Sequence, residues 1–179
     1  MKGTGRVMET KNLIIKEATF DDCQYYAEWE KIPQVTEFFS IDESRDYKQV
    51  VTEFVKDMDD QSTKHFTIFL KPNKPIGKIY VTGINKNTDS MDITRMYIGS
   101  LEDRGQGYAY EALKKFLEYA FINLHMERVT LDYYVGNKAA SALYDKLGFH
   151  SEGVRRHAAK KNGKYYDLHQ MSMLRSDFL

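Results

Sequence analysis

The sequence predicts a mixed α/β fold: a mostly antiparallel sheet with one central parallel βαβ unit and helices on both faces. A strand-like run at Met91–Ile98, an amphipathic helix at Tyr108–Leu124 and a strand at Arg128–Val135 follow one another around a glycine-rich turn. Strands joined by a helical crossover pair in parallel. Near the C-terminus, Asn162-Gly163 separates two further strand-like runs, which is a strong signal for an antiparallel hairpin.

The N-terminal half supplies one short strand, two helices and an antiparallel strand pair. Asn12–Glu17 contains three consecutive large aliphatic residues, which predict a first strand. Thr19 is a suitable N-cap for the helix that follows, and two acids in the first turn are a further sign of a helix start. A second helix is predicted over Arg45–Asp59, where apolar residues recur at helical spacing. The strands Phe66–Leu70 and Ile76–Gly83 flank a turn with two prolines.

The C-terminal half continues from the central βαβ unit. Strict alternation along its first strand would place on one face Asp92, Thr94, Met96 and Ile98. A short helix is predicted over Asn137–Leu147, with Gly148 as its C-terminal cap. The final hairpin joins Phe149–His157 to Lys164–Leu174. The predicted order is therefore β-α-α-β-β-β-α-β-α-β-β.

Length and composition indicate a single domain from a reducing compartment. The chain has 179 residues, of which 42% are hydrophobic and 29% charged, and its formal net charge is +0. We expect one domain over residues 11–179, preceded at residues 1–10 by a disordered leader or non-native residues. The single cysteine, Cys23, excludes an internal disulfide and a cysteine-based metal site. We expect a cytoplasmic protein that binds no metal, nucleic acid or membrane.

The glycine-rich turn Asp103–Ala109 is the strongest candidate for a binding site. Small residues at a strand-to-helix junction allow a sharp turn, and a helix start offers unpaired N–H donors to an anion. A P-loop needs a Lys and a Ser or Thr after its last glycine, where this chain has Tyr108. A dinucleotide fingerprint needs a third glycine, where Tyr110 stands. The remaining pattern, Arg/Gln-x-x-Gly-x-Gly/Ala, fits a phosphate site or a plain tight turn.

A second motif lies downstream in the predicted short helix. It has the form Asn-x-x-Ala-x-x-x-Tyr-x-x-x-Gly-Phe and runs from Asn137 to Phe149. With both motifs in this order, the chain resembles the GNAT superfamily of acetyl-CoA-dependent N-acetyltransferases. It is most similar to the branch that contains ribosomal-protein N-terminal and spermidine acetyltransferases. The resemblance implies a GNAT-like fold and direct transfer of an acetyl group to a primary amine through a tetrahedral intermediate.

The resemblance also implies how acetyl-CoA is bound. The turn would donate backbone N–H groups to the pyrophosphate, with the side chain of Arg104 supplying charge or framing the turn. The preceding strand end would present backbone groups to the pantetheine arm, which two separating parallel strands admit. Asn137 would bind the cofactor, although a helix N-cap is its alternative role and the two are compatible. The implied cofactor-binding residues are Tyr97, Ile98, Gly99, Arg104, Gly105, Gln106, Gly107, Tyr108, Ala109 and Asn137.

Two residues are candidates for the chemistry. Tyr144 matches the position of the family's general acid, which protonates the departing thiolate, and its alternative role is a half-buried core tyrosine. Asp132 stands where some family members carry a catalytic glutamate, and its alternative role is a solvated strand carboxylate. Other members carry the base at the position of Thr94, where this chain has no acid. For Asp92, two residues earlier, a structural role is favoured.

The sequence leaves the amine acceptor open. A small-molecule amine and a peptide N-terminus both fit, and a homodimer is a possible assembly. We expect the acceptor near the aromatic residues Phe38, Phe39, Tyr80, Tyr133 and Tyr165. Acids around 57–60 could favour a polyamine or simply form a solvated helix end. The main alternative function is a non-catalytic acyl-CoA-binding or regulatory module on the same fold. A nucleic-acid-binding domain that uses Arg155-Arg156 and Lys160-Lys161 is disfavoured by the net charge.

Overall fold

In the described part of the chain, eight strands form one sheet that contains one parallel pair. The computed structural model describes residues 7–42 and 44–179. The strands are β1 (Met8–Glu9), β2 (Leu13–Glu17), β3 (Lys64–Leu70), β4 (Lys74–Asn85), β5 (Ser90–Ile98), β6 (Arg128–Tyr134), β7 (His150–Lys161) and β8 (Lys164–Leu174). Their order in the sheet is β1-β2-β3-β4-β5-β6-β8-β7. Strands β5 and β6 pair in parallel, and the other neighbours pair antiparallel.

Helices cover both faces of this sheet, as the sequence predicted. They are α1 (Cys23–Trp29), α2 (Pro33–Thr36), α3 (Tyr47–Met58), α4 (Tyr108–Glu118), α5 (Lys138–Leu147) and α6 (Arg175–Phe178). On one face, the apolar stripe of α4 and of the π-helical turn Tyr119–Asn123 packs in the main core, against which α5 also lies. Helices α1 and α3 form a second apolar cluster with Tyr97 on the other face. The mixed, mostly antiparallel fold is therefore confirmed.

The first described residues belong to the sheet. Strand β1 pairs with β2, so that Met8 stands opposite Ile15, and Met8 is only 4% exposed. The expectation of a disordered leader is wrong at Met8 and Glu9, because both residues pair with β2 and the side chain of Met8 packs in the core. Residues 1–6 lie outside the described part of the chain.

A bulge in β5 changes which face its side chains occupy. Neighbouring residues of β4 pair with Ile93 and Arg95, so Thr94 has no partner in the ladder. Met91 and Ile93 therefore pack in the same core as Met96. The predicted strict alternation is wrong across Thr94, because an extra residue reverses the order of the faces.

Strands β5 and β6 pair at three positions and then separate. The last pair is Asp92 with Thr130. There the Thr130 hydroxyl donates to Asp92 Oδ2 at 2.6 Å, and the Thr94 hydroxyl donates to the other carboxylate oxygen at 3.0 Å. Burial raises the pKa of Asp92. Beyond this point β5 runs on to Ile98 and β6 to Tyr134 without pairing, which opens a gap within the sheet.

Charged side chains join the helical layer to β5 on the side of α1 and α3. Glu53 accepts hydrogen bonds from Arg45, at 3.1 Å to each oxygen, and from Arg95 at 3.0 Å. Arg45 also lies 3.6 Å from the carboxylate of Glu30, which is buried. Glu30 accepts a hydrogen bond from the Tyr97 hydroxyl at 2.9 Å. An opposite charge or a donor thus lies beside each of Glu30, Arg45 and Glu53, as a buried ionic group requires.

Glu53→Gln should reduce the amount by which the free energy of unfolding falls in acid. Burial acts to raise the pKa of Glu53, but hydrogen bonds and charge from Arg45 and Arg95 lower it from 4.5 to about 2. A carboxylate whose pKa is lower in the folded state stabilises the fold above its unfolded pKa, and this contribution disappears as the pH falls through the folded value. In wild type it should amount to about 2 kcal/mol, lost between about pH 4.5 and pH 2.

Urea unfolding of both proteins at about pH 6 and pH 3 measures this difference. Glu118→Gln is the control, because Glu118 forms an ion pair on an exposed helix face with a 45% exposed side chain. This substitution should leave the loss of unfolding free energy in acid unchanged. If the free energy of unfolding fell by the same amount between about pH 6 and about pH 3 in wild type and in Glu53→Gln, the proposed role of the Glu53 ion pairs would be contradicted.

Candidate active site

The gap between β5 and β6 opens into a cleft of about 720 Å³. The glycine-rich turn, the ends of both strands, helix α5 and the connector between α1 and α3 line it. Cavities of this size, about 300–1,000 Å³, are typical of small-molecule sites. The fold therefore brings the two sequence motifs to one cavity.

The turn presents its backbone to the cleft. Gly105 and Gly107 have φ values of 77° and 81°, and nothing lies within 4 Å of the position that a Cβ would take at either residue. Side-chain-bearing residues rarely adopt this left-handed conformation. Helix α4 begins at Tyr108, and the N–H groups of a first helical turn have no acceptor within the helix. These groups can bind an anion such as a phosphate.

The side chain of Arg104 frames the cleft. Its Nε donates to the carbonyl of Ile98 at 2.8 Å, and its Nη1 donates to the carbonyl of Gln34 at 3.1 Å. One guanidinium thus ties the end of β5 to the connector that covers the cleft. The backbone of the turn, rather than this side chain, is left for an anion.

The predicted strand-end residues divide into two groups. Tyr97 and Ile98 line the cleft. Gly99 is not among the lining residues, because its N–H donates to the Ile76 carbonyl at 2.7 Å and a Cβ here would lie 2.2 Å from Trp29 Cγ. Its function in the fold is to make room for Trp29. Gln106 is exposed and does not line the cleft either.

Tyr144 lies in the wall of the cleft. Its ring centroid is 5.6 Å from that of Tyr133 and 5.9 Å from that of Phe149. Burial, together with the negative charge of Asp132, raises the pKa of Tyr144 to about 12. The phenol therefore keeps its proton at neutral pH and can act as a donor. Asn137 lines the same cleft, while its side chain accepts from the N–H of Ala140 at 3.1 Å, so it does cap α5.

Asp132 also lines the cleft, and it belongs to β6. Its Oδ2 accepts a hydrogen bond from Arg155 at 2.7 Å, and the side chains are 33% and 53% exposed respectively. Asp132 therefore has access to the cleft while it forms an ion pair with Arg155. Asp92 does not line the cleft and holds β5 to β6 instead.

The connector between α1 and α3 also contributes to the lining of the cleft. Ser40 and the hydroxyl of Tyr134 are 2.5 Å apart, in a hydrogen bond that joins the connector to β6. Of the aromatic residues expected around the acceptor, those that line the cleft are Phe38, Phe39 and Tyr133. Those that lie elsewhere are Tyr80 and Tyr165. Tyr80 donates to Asp57 at 2.9 Å, and Tyr165 stacks on His157 at 5.4 Å.

Several residues that line the cleft belong to neither of the two sequence motifs. Ser40 and Tyr134 meet because of the fold, and nothing in the local sequence pairs them. A signal existed for one face of α5, where four lining residues recur at i, i+3, i+4 and i+7: Ala139, Ala142, Leu143 and Lys146. That spacing marks a helix face turned toward a neighbour.

The described residues contain neither a metal-binding group nor a membrane-spanning helix. In ranges 7–42 and 44–179, no three His, Cys, Asp or Glu side chains are grouped in a way that could hold a metal ion. None of the described helices has the length and apolar character of a membrane span.

Comparisons with known proteins agree with this geometry. The family model described as "Acetyltransferase (GNAT) domain" matches residues 12–150. A relative from Bacillus licheniformis, "Uncharacterized N-acetyltransferase p20", is 24% identical over 175 residues, which cover 94% of this chain and 96% of that protein. The spermidine N(1)-acetyltransferase of Vibrio cholerae is 28% identical over 124 residues, or 69% of this chain and 70% of that protein.

A solved structure extends the likeness to the whole fold. The crystal structure of a spermidine N-acetyltransferase from Vibrio cholerae in complex with CoA and spermine superposes with a TM-score of 0.87. It covers 94% of this chain and 99% of that chain at 21% identity, so the likeness establishes the fold. Because the family model spans both motifs and most of the sheet, the chain belongs to the GNAT family of N-acetyltransferases.

Proposed function

We propose that this enzyme transfers the acetyl group of acetyl-CoA to a primary amine by direct attack. One observation carries the proposal: the accessible backbone turn, the separated parallel strands and the protonated Tyr144 all border one cleft. Binding of CoA by the spermidine N-acetyltransferase of the same fold supports it.

The described residues fit acetyl-CoA along the length of the cleft. The open backbone at Gly105 and Gly107 suits the pyrophosphate. The gap beyond Asp92 and Thr130 leaves strand-edge groups of β5 unpaired with β6, and these groups suit the amides of the pantetheine arm. Acetyl-CoA supplies the thioester whose carbonyl carbon is attacked.

The two candidate catalytic residues would take different steps of this chemistry. A primary alkylamine is mostly protonated at neutral pH, since its pKa is near 10.4, so a base must remove a proton before attack. Asp132 is proposed for that step. As the C–N bond forms and the C–S bond breaks, Tyr144 gives its proton to the leaving thiolate sulfur, and the second proton that the nitrogen must lose restores the phenol. Its pKa of about 12 ensures that the proton is present.

A small primary amine is the proposed acceptor, and a peptide N-terminus is the alternative. It would enter at the end formed by Phe38, Phe39 and the Ser40–Tyr134 hydrogen bond. Three carboxylates line the cleft: Asp132 pairs with Arg155, Asp103 pairs with Lys74, and Glu37 forms no ion pair in the described residues. One carboxylate is therefore left to attract an ammonium group, which favours an acceptor with a single ammonium group over a longer polycation.

Tyr144→Phe should lower kcat about a hundredfold and leave the Kd for CoA nearly unchanged. The variant keeps the ring contacts and removes the proton that we assign to the thiolate. Thiol release from acetyl-CoA, measured with a panel of primary amines, gives kcat, and calorimetry gives Kd. Tyr165→Phe is the matched control, because Tyr165 is an exposed tyrosine outside the cleft.

Two results would count against the proposal. Unchanged kcat in Tyr144→Phe would remove Tyr144 from the mechanism. If wild type binds CoA but no amine stimulates thiol release, the protein is instead a non-catalytic acyl-CoA-binding module.

Asp132→Asn should lower kcat/KM for the acceptor about a hundredfold near pH 7. The deficit should shrink as the pH approaches about 10, because the amine then loses its proton without a base. A pH–rate profile measures this change. Arg155→Gln breaks the same ion pair but keeps the carboxylate, so it should retain most of the activity and the wild-type profile. A deficit in Asp132→Asn that does not depend on pH would show that Asp132 is not the base.

A further inference from the structure

The cleft has a basic end that the proposed chemistry does not use. Lys146, in the last turn of α5, places its Nζ 4.3 Å from the ring centroid of Tyr110, in the first turn of α4. Both residues line the cleft. Lys114, one helical turn after Tyr110, places its Nζ 5.9 Å from the same ring. Two ammonium groups therefore converge on one aromatic side chain.

These lysines have no carboxylate partner in the described residues. Lys115, next in sequence to Lys114, forms an ion pair with Glu118 at 2.9 Å, but neither Lys114 nor Lys146 forms one in ranges 7–42 and 44–179. Two uncompensated like charges repel each other, and an aromatic ring offsets only part of that cost. An anion placed between them would lower the electrostatic free energy.

The position of this basic end fixes which part of a ligand would reach it. Tyr110 comes directly after the turn that we assign to the pyrophosphate. The face of α5 that lines the cleft carries the small side chains of Ala139 and Ala142, and Lys146 follows in its last turn. A ligand whose pyrophosphate sits at the turn and whose thioester sits beside Tyr144 therefore has its nucleoside end toward Lys146.

We infer that Lys146, Lys114 and Tyr110 form a subsite for the 3′-phosphate of acetyl-CoA, an inference that rests on the proposed function. A phosphate monoester carries a charge of about −1.5 to −2 at neutral pH, which matches two ammonium groups. Lysine binds phosphate as a point charge and needs no fixed geometry. The subsite discriminates acetyl-CoA from its 3′-dephospho analogue and takes no part in the chemical step.

Calorimetry with CoA and 3′-dephospho-CoA tests the subsite. Wild type should bind CoA about tenfold more tightly than 3′-dephospho-CoA. Lys146→Met should weaken CoA binding about fivefold, while it changes the binding of 3′-dephospho-CoA less than twofold. The preference of wild type should fall when salt is raised from about 0.05 M to 0.5 M. Lys160→Met is the matched control, because Lys160 lies 5.3 Å from the ring centroid of Tyr165, outside the cleft. It should change neither affinity.

The possible failures separate the two proposals. Equal affinity of wild type for the two ligands, or an equal loss of both in Lys146→Met, would overturn the subsite and leave the acetyltransferase proposal intact. If wild type binds neither ligand, both proposals fail. Turnover of 3′-dephospho-acetyl-CoA by Lys146→Met at the wild-type kcat would support a role confined to binding.

Discussion

The separation of β5 from β6 is the constraint on which the rest of the site depends. A sheet satisfies its backbone by pairing neighbouring strands, yet here pairing stops at Asp92 and Thr130. The hydrogen bond between these side chains, with a second bond from Thr94, fixes the point of separation. The unpaired Thr94 bulge lies just beyond it. Because bulges bend a strand and locally disrupt its ladder, they are suited to aim a strand edge at a ligand.

Both helical layers stabilise this open arrangement. On one face, α4 and its π-helical extension bury an apolar stripe against the strands and place the glycine turn at the mouth of the gap. On the other, the ion pairs of Glu53 connect α3 and Arg45 to Arg95 of β5. Arg104 joins the end of β5 to the connector. The gap is therefore bordered by elements held through directional contacts, and a preorganised site of this kind lowers the cost of ordering a ligand.

The sequence predicted the features that are encoded locally. Left-handed glycines in the turn and the Asn137 cap follow from short-range rules, and the α4 stripe follows from periodicity. Features that depend on two distant segments were not predictable. The Thr94 bulge is visible only in the pairing with β4, and Gly99 was assigned to a ligand although it accommodates Trp29. The hydrogen bond between Ser40 and Tyr134 joins residues 94 apart in sequence, and no local pattern anticipates it.

A crystal structure of the protein with CoA bound would show whether the cleft is the site of acetyl transfer. We expect the pyrophosphate to accept hydrogen bonds from the backbone between Gly105 and Ala109. We also expect the pantetheine arm to lie between the separated ends of β5 and β6, with its sulfur within hydrogen-bonding reach of the Tyr144 hydroxyl. CoA bound outside this gap, or a sulfur that faces away from Tyr144, would contradict the assignment of the cleft as the site of acetyl transfer.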